Sequence, residues 1–523
     1  MNNSKTIQTD VLVAGAGIAG IKAAYTAAKS GCNVLVVTKS YVAASNYVLG
    51  FNAVLSEEDS VKLYTKDTMS GGGNINNPQL VKTLAENSAK EVESVELTGL
   101  KFDKEDGNYH LLKPLGCTEP RLAHIKNITG KITLEKFREM ADEAGVKILD
   151  KTMLADIITE NGKVTGATVF DLENKETINI CAKAVVIATG GIHIATDSTY
   201  PLTMTGDGYG TAYRAGAELT DMEFIQYEPC RCIYPQKLGI STTLLAKGGK
   251  ITNNKGERFL LRHYNTEGDA PKDALAKLIY AEIINGNGSE HGGVYLDLTD
   301  VPSDEIIEKH SLYYNRFMNA GIDITKEIIE VGPCAHSFMG GIVIDKNCRT
   351  CVSGLFAAGE AAGGIHGANR VGGNAGTEIY VFGTIAGNSA AEYANNNSFG
   401  KIENVTVTYD QNGSGKEYFE TQKKNLQTIM AKYMGPVRDG RKLHEAMKLI
   451  EDLKNEVDSS SPINFDATVS KKECENMLVV CKCSCEAAIN RKESRGVHTR
   501  TDYPETNKDF ETNFVHTRGW YEL

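Results

Sequence analysis

A long apolar run is the first feature that the sequence lacks. No stretch reaches about 18 apolar residues, the length that a transmembrane helix needs. Residues 1–10 are polar and contain neither the apolar core nor the cleavage site of a secretory signal peptide. We therefore expect a cytoplasmic protein that does not insert directly into a membrane.

Basic clusters are missing as well. The formal net charge is −11 and no block of lysine and arginine stands out, so nucleic acid is not the expected partner. The balance of 41% hydrophobic and 24% charged residues is that of a globular protein. A chain of 523 residues exceeds what one core usually supports, so we expect two or three domains.

Cysteine groups of the kind that bind zinc or iron–sulfur clusters are also absent. The twelve cysteines include Cys348-x-x-Cys351 and Cys481-x-Cys483-x-Cys485, but neither run has a second pair at cluster spacing. The second run lies in a predicted helix, where residues two apart point to different sides. We expect free thiols and no metal site.

A glycine-rich motif, GAGIAG, occupies residues 15–20. An apolar strand is predicted over 11–14 before it, a helix over 21–30 after it, and a second strand over 33–38. This order of strand, glycine-rich turn, helix and strand is typical of dinucleotide binding, whereas the six-residue pattern alone would be weak evidence.

Each glycine of the motif has a separate task. Gly15 makes the tight turn, Gly17 lets the backbone approach a pyrophosphate, and Gly20 lets helix and strand pack closely. The helix N-terminus supplies N–H groups and a positive dipole to the phosphates. Lys39 stands near the end of the second strand, where an acidic residue usually binds a ribose, so a nicotinamide dinucleotide is not required.

The rest of the chain predicts further elements and an insertion. In the first part we expect an irregular segment over 40–76, a helix over 78–98, a hairpin over 162–171 and a strand over 184–191. The pattern changes over 222–333, with a helix over 272–284 and a strand over 294–299, which indicates an inserted domain. Residues 416–490 are predicted to be largely helical.

Five ordered motifs identify a family resemblance that covers nearly the whole chain. They are AVVIATGG (184–191), TGDGYGTAYRAGAEL (205–219), HSFMGGIVID (336–345), GLFAAGEAAGGIHGANRVGGNAGTE (354–378) and SRGVHTRTDYPE (494–505). With these motifs the sequence resembles the flavoprotein subunits of fumarate reductase and succinate dehydrogenase, with L-aspartate oxidase and adenylylsulfate reductase as related members.

The resemblance implies an α/β fold. We expect a Rossmann-like FAD-binding domain with an inserted α+β capping domain and a helical C-terminal domain. The predicted limits are 1–221 and 334–400 for the FAD-binding domain, 222–333 for the capping domain and 401–523 for the helical domain.

The resemblance also implies a set of FAD contacts. They are Gly15, Gly17, Gly20, Lys39, Gly190, Asp207, Glu360, Arg370 and Asn374. Glu360 follows a strand and is expected to take the ribose hydroxyls. Respiratory members attach FAD covalently through a histidine before the first glycine-rich stretch, but the first histidine here is His110. We therefore predict FAD that is bound noncovalently.

Four positions are expected to form the substrate site, and two of them depart from the family pattern. His336 and Arg370 stand where the family binds substrate carboxylates, and arginine suits this because its planar fork can hold a carboxylate with two bonds. Glu228 replaces a substrate-binding histidine, and Lys272 replaces the proton-transfer arginine.

A carboxylate at 228 would repel a substrate carboxylate or would have to be protonated. We therefore predict a substrate with one carboxylate facing Arg370 and His336, and with a neutral or cationic end facing Glu228.

Three functions remain open on the sequence. The first is hydride transfer between flavin N5 and a carbon of a small organic acid, with electrons exchanged through an iron–sulfur partner. The second is oxidation of an amino acid, since Glu228 offers a partner for an ammonium group. The third is a non-catalytic electron-transfer subunit, because the proton-relay residues of fumarate reductases are not evident in residues 241–250.

Overall fold

The computed structural model describes residues 5–41, 43–126, 128–402, 405 and 407–518. Its strands, in chain order, are β1 (Lys5–Ala14), β2 (Val34–Val37), β3 (Gly50–Asn52), β4 (Lys104–Glu105), β5 (Asn108–Tyr109), β6 (Leu122–His124), β7 (Lys147–Leu149), β8 (Thr152–Glu160), β9 (Lys163–Asp171), β10 (Glu176–Ile187), β11 (Leu219–Thr220), β12 (Ile225–Tyr234), β13 (Leu238–Gly239), β14 (Lys250–Thr252), β15 (Val294–Asp297), β16 (Ile329–Phe338), β17 (Gly341–Ile342), β18 (Leu355–Ala357) and β19 (Val515–His516). Its α-helices are α1 (Ile18–Lys29), α2 (Val61–Gly71), α3 (Pro78–Glu96), α4 (Thr129–Glu143), α5 (Asp207–Arg214), α6 (Lys272–Glu282), α7 (Ser311–Asn319), α8 (Asn374–Asn395), α9 (Lys416–Tyr433), α10 (Gly440–Ser459) and α11 (Phe465–Asn490).

A seven-stranded sheet forms the centre of the first domain. Its order is β7-β2-β1-β10-β9-β8, with β18 paired to residues 185–187 of β10, beyond the part of β10 that pairs with β9. Strands β7, β2, β1, β10 and β18 are parallel neighbours. Strand β2, with the sequence VLVV, is buried along its whole length, as expected where a parallel sheet is covered on both faces. Helices α1 and α8 pack together beside this sheet.

Glycine is required at two positions where β1 turns into α1, one in the turn and one in the first turn of the helix. Gly15 has a φ of +111°, and a Cβ atom there would lie 2.1 Å from the carbonyl oxygen of Ala188. A Cβ atom at Gly20 would lie 1.9 Å from the carbonyl oxygen of Gly15, so helix and strand approach closely. Helix α1 begins at Ile18, three residues earlier than predicted, because Gly17 already acts as its extended N-cap.

The predicted hairpin over 162–171 is wrong. Residues Lys163–Asp171 form the single strand β9. The turn lies before this strand, between β8 and β9, where Asn161 and Gly162 have positive φ. Gly166 lies within β9. A Cβ atom at Gly166 would be 2.0 Å from the carbonyl oxygen of Ile180, so this glycine permits close pairing of two strands.

The predicted irregular segment over 40–76 contains an unpredicted helix, α2. Ser60 caps its N-terminus, because the Ser60 hydroxyl accepts a hydrogen bond from the amide of Leu63 at 3.1 Å. The helix buries only three of its residues, Tyr64, Asp67 and Thr68, so its apolar pattern is weak. Two polar side chains among these three explain why hydrophobic periodicity did not reveal it.

The inserted domain has a sheet and a core of its own. Its five strands follow the order β13-β12-β16-β15-β14, and α6 packs against β12 and β16. Leu275 and Ile279 of α6, Phe317 of α7 and Leu296 of β15 belong to one buried apolar cluster. Strand β16 continues to Phe338, so this sheet extends beyond the boundary predicted at 333.

The two connections between the domains meet at one place. Asp221 leads out of β11 with a φ of +60°, and Gly340 lies on the returning chain after β16. A Cβ atom at Gly340 would be 2.6 Å from the carbonyl oxygen of Asp221, so the outgoing and returning segments pack against each other.

Three long helices, α9 to α11, form the C-terminal part and pack on one another. Their buried residues, such as Met430 and Val479, belong to the same apolar cluster as the strands of the first domain. Cys481, Cys483 and Cys485 are buried in α11, and all twelve cysteines are free thiols. Over the ranges that the structure describes, no helix has the length and apolar character needed to cross a membrane.

Candidate functional site

Four elements bring the predicted substrate residues together. Glu228 lies on β12, Lys272 begins α6, and His336 lies on β16, all in the capping domain. Arg370 lies in the connection between β18 and α8 of the first domain. The site is therefore formed where the two domains face each other.

A β-bulge places His336. Gln226 pairs with Ser337, but the next residue, Tyr227, pairs with Ala335, so His336 is left outside the ladder. Such an extra residue bends a strand and changes the direction of its side chain. The His336 Nδ1 atom lies 3.1 Å from the hydroxyl of Thr199, which fixes the ring.

The His336 imidazole is neutral in this environment. Burial lowers the pKa of His336 to about 3, and the nearby positive charges of Arg370 and Lys272 act in the same direction. At neutral pH this ring is therefore a hydrogen-bonding group and not a cation.

Glu228 and Lys272 form an ion pair. The Lys272 Nζ atom lies 2.5 Å from Glu228 Oε2, and the two side chains are 37% and 19% exposed, Lys272 being the more exposed. The sequence predicted a Glu228 carboxylate that would repel a substrate carboxylate, but the pairing with Lys272 balances its charge. More than a third of the Lys272 side chain is also exposed to solvent.

Arg370 keeps part of its guanidinium open. Its Nη2 atom donates to the side-chain oxygen of Gln226 at 3.0 Å, and Gln226 in turn donates to Asn369 at 2.8 Å. The buried Nε atom of Arg370 has no hydrogen-bond partner among the described residues. A guanidinium that has no carboxylate partner among the described residues is suited to an anionic ligand.

Glu360 accepts its hydrogen bonds from the protein mainly through one of its two carboxylate oxygens. Its Oε1 atom accepts hydrogen bonds from Tyr200, from the amide of Phe338 at 3.1 Å and from Ser337 at 3.3 Å. Its Oε2 atom lies beside Gly191, where a Cβ atom would approach to 2.9 Å. Burial raises the pKa of Glu360, since charged carboxylates lose hydration there.

Lys39 and Asp207, two predicted cofactor contacts, bind each other. The Lys39 ammonium donates to Asp207 at 3.0 Å and to Thr205 at 2.8 Å, and it lies 2.5 Å from Glu473 on α11. All three donors of the ammonium thus have protein acceptors. This network joins the end of β2 to the C-terminal helices.

The side chain of Asn374 is also held within the protein. Its oxygen accepts from Asn52 at 2.7 Å and from Tyr64 at 2.9 Å, and its nitrogen donates to Thr68 at 3.0 Å. Asn374 begins α8, and Gly373 before it has a φ of +83°. A cofactor contact at this position would therefore come from the backbone of the first turn of α8.

Three partners of these residues were not proposed from the sequence. Thr199 fixes His336, Tyr200 holds Glu360, and Gln226 holds Arg370. Thr199, Tyr200 and Gln226 stand outside the five family motifs, so no sequence signal singled them out. Their roles follow only from the contacts.

Two family models match the chain. Residues 10–375 match the FAD binding domain, and residues 423–522 match the fumarate reductase flavoprotein C-terminal domain. The chain belongs to the fumarate reductase and succinate dehydrogenase flavoprotein family. It is therefore an FAD-dependent oxidoreductase, and the predicted fold class is confirmed.

Relatives of this family align over nearly the full length. An uncharacterized FAD-dependent oxidoreductase of Methanocaldococcus jannaschii is 34% identical, over 99% of this chain and 98% of that one. A fumarate reductase (CoM/CoB) subunit from Methanothermobacter marburgensis is 34% identical over 98% of each chain. L-aspartate oxidase of Yersinia pestis is 30% identical, over 99% of this chain and 100% of that one. Sdh1 of Mycobacterium smegmatis, solved in complex with UQ1, has a TM-score of 0.88 and 32% identity, covering 98% of this chain and 94% of that one.

The residues present fit the FAD of this flavoprotein family. The connection between β18 and α8 carries a buried polar atom that lacks a partner in the described chain, His366 Nδ1. Glu360, in the same connection, adds its Oε2 atom. This connection begins at the carboxyl end of a parallel strand, where ligands of open α/β sheets bind.

Proposed function

We propose that this flavoprotein transfers a hydride between FAD and a carbon of a small organic acid, and that Lys272 transfers the accompanying proton. The observation that carries the proposal is the meeting of Lys272, Glu228, His336 and Arg370 between the two domains. When bound, FAD supplies the two-electron hydride chemistry, which no side chain of the chain can supply.

Arg370 and His336 bind the substrate carboxylate in this proposal. Arg370 offers the donors that the protein leaves unused, chiefly Nε. If His336 Nδ1 accepts from Thr199, its Nε2 carries the proton and donates to the carboxylate. A neutral imidazole orients the acid without adding a second positive charge.

Lys272 is the proton donor in the reducing direction. A carbon–carbon double bond receives a hydride at one carbon and a proton from the Lys272 ammonium at the adjacent carbon, which gives a saturated acid and a neutral amine. Glu228 orients Lys272 by charge. Because Lys272 reaches solvent, the neutral amine regains its proton from water. It does not need the proton-relay residues of fumarate reductases, which are not evident in this sequence.

The charges of the site favour a substrate with one carboxylate. Arg370 and Lys272 contribute two positive charges, Glu228 contributes one negative charge and His336 none, so the site has a net charge of +1. A dicarboxylate would bring one negative charge more than this site balances. The ion pair also disfavours a substrate ammonium, which would have to displace Lys272 from Glu228.

The family resemblance supports a proposal on the cofactor and on the partner. We propose that FAD is held noncovalently, because no histidine precedes His110. The Methanothermobacter marburgensis relative is by its name a subunit, and so one part of a larger enzyme. We propose that this chain also has an iron–sulfur partner for electron exchange, since its own sequence contains no cysteine run at cluster spacing.

The experiment is a substrate screen with the photoreduced protein under anaerobic conditions. Crotonate, with one carboxylate and a neutral end, should reoxidise the flavin faster than fumarate at equal concentration. Rapid reoxidation by fumarate would contradict the single-carboxylate proposal.

Two further outcomes identify the other functions that the sequence left open. Steady production of peroxide from an amino acid would show an oxidase. Normal FAD binding without reoxidation by any small acid would show an electron-transfer subunit.

A further inference from the structure

Arg138 lies on α4 beside the glycine-rich turn. Its Nη2 atom donates a hydrogen bond to the carbonyl oxygen of Ala16 at 2.9 Å. Its guanidinium lies over the ring of Tyr41, with Cζ 4.8 Å from the ring centroid. The side chain thus bridges the turn between β1 and α1 and the segment that follows β2.

Within the described part of the chain, no carboxylate neutralises this guanidinium. No Asp or Glu oxygen there lies within salt-bridge distance of Arg138, and its buried Nε atom has no hydrogen-bond partner. Desolvation lowers the pKa of Arg138, although Asp150 and Glu135 act more weakly in the opposite direction. Arg121, just before β6, shows the contrast, since its guanidinium is bound by Asp59 at 2.9 Å.

An unpaired and partly buried cation costs free energy, so an anion is expected beside it. The turn that Arg138 touches is the one on which a dinucleotide places its diphosphate, at the first turn of α1. Lys39, a cation just after β2, already has three protein acceptors and is not available. Arg138, whose Nε has no partner in the described chain, can neutralise a diphosphate here.

We propose that Arg138 binds the diphosphate of FAD and supplements the backbone amides of α1. Its planar fork can donate to a phosphate oxygen while Nη2 keeps its bond to Ala16. No sequence pattern indicates this role, because Arg138 stands in an ordinary amphipathic helix more than 100 residues from the glycine-rich motif. The proposal depends on the FAD-binding domain and not on the substrate.

The test compares cofactor affinities of the FAD-stripped protein. Arg138→Met should weaken FAD binding by about 10–100-fold, the range for losing a hydrogen bond to a charged group, and Arg138→Lys should weaken it less. Riboflavin lacks the diphosphate, so its affinity should be the same in the wild type and in Arg138→Met. Arg441→Met is the matched control, because it removes the same charge from a side chain that is 97% exposed on α10.

Unchanged FAD affinity in Arg138→Met would overturn the proposal, and so would an equal loss for FAD and riboflavin. Equal loss would mean that Arg138 only stabilises the turn, and the thermal unfolding temperature of the stripped variant would then also fall. Equal weakening in Arg441→Met would point to net charge alone and would likewise overturn it. Because each measurement is of binding, the result is independent of whether any acid is turned over.

Discussion

Lys272 and Glu228 come from different elements of the capping domain, the first turn of α6 and the strand β12, and meet at 2.5 Å. Each stands where the family resemblance implies another residue, an arginine and a histidine. The two departures therefore form one unit, in which the new anion, Glu228, pairs with a cation that has changed from arginine to lysine.

Removal of the Lys272 ammonium should stop catalysis without loss of FAD. Lys272→Met should lower kcat by about 10²–10⁴-fold on a substrate found in the screen, because the proton donor is lost. Lys326→Met is the control, since Lys326 is a largely exposed capping-domain lysine paired to Asp323. Steady-state rates and flavin content are measured together.

The pair can also be tested as a unit. If Glu228 acts through Lys272, Glu228→Gln should lower kcat/KM in the wild type but have little further effect in Lys272→Met. Additive effects of the two substitutions would show that they act separately.

Asp221 should make the protein less stable as the pH rises. Burial, followed by the charge of Glu223, raises the pKa of Asp221 to about 7, whereas Asn513 and Arg491 act in the opposite direction. The folded state then holds a proton that the unfolded chain releases near pH 4, so the free energy of unfolding falls between about pH 4 and pH 7.

Asp221→Asn should remove this decline. Asparagine tolerates the φ of +60° at this position. At pH 8 the free energy of unfolding of the variant should exceed that of the wild type by roughly 2–4 kcal/mol. The measurement is urea unfolding at about pH 5 and pH 8, values chosen near the ends of the window. An equal effect of the substitution at both pH values would contradict the assignment.

Gly166 should tolerate no side chain. Gly166→Ala places a methyl group against the carbonyl oxygen of Ile180 and should cost about 2–4 kcal/mol through distortion of the β9–β10 pairing. Gly239→Ala is the matched control, because no atom lies within 4 Å of a Cβ there. Urea midpoints that shift equally would show that the strands can separate to admit the methyl group.

The sequence predicted the parts of the molecule that depend on local pattern. The apolar strand, the glycine-rich turn and the helix after it follow from residues adjacent in the chain, and ordered motifs extended this to the domain plan. Gly166 shows the limit, because a glycine in a turn and a glycine under a neighbouring strand look the same until the partner strand is known.

The candidate site was predicted as a set of positions but not as a set of contacts. Lys39 was expected at the cofactor, yet its partner Glu473 is more than 400 residues away in the chain and belongs to another domain. Arg138 was missed for the same reason, since its partner Ala16 lies across the fold. Pairing over such separations depends on tertiary packing and leaves no local signal.

The two largest apolar clusters have a consequence for local opening. The first domain and the C-terminal helices share one cluster, whereas most of the apolar side chains of the capping domain form another; Tyr227, Ala276 and Ala335, where the capping domain meets the rest, belong to the first cluster. Separate cores give separate cooperative units. Amide hydrogens of the capping domain should therefore exchange with solvent as a group while those of α11 remain protected. Lys272 then belongs to one cooperative unit and Arg370 to another, although both line the same site.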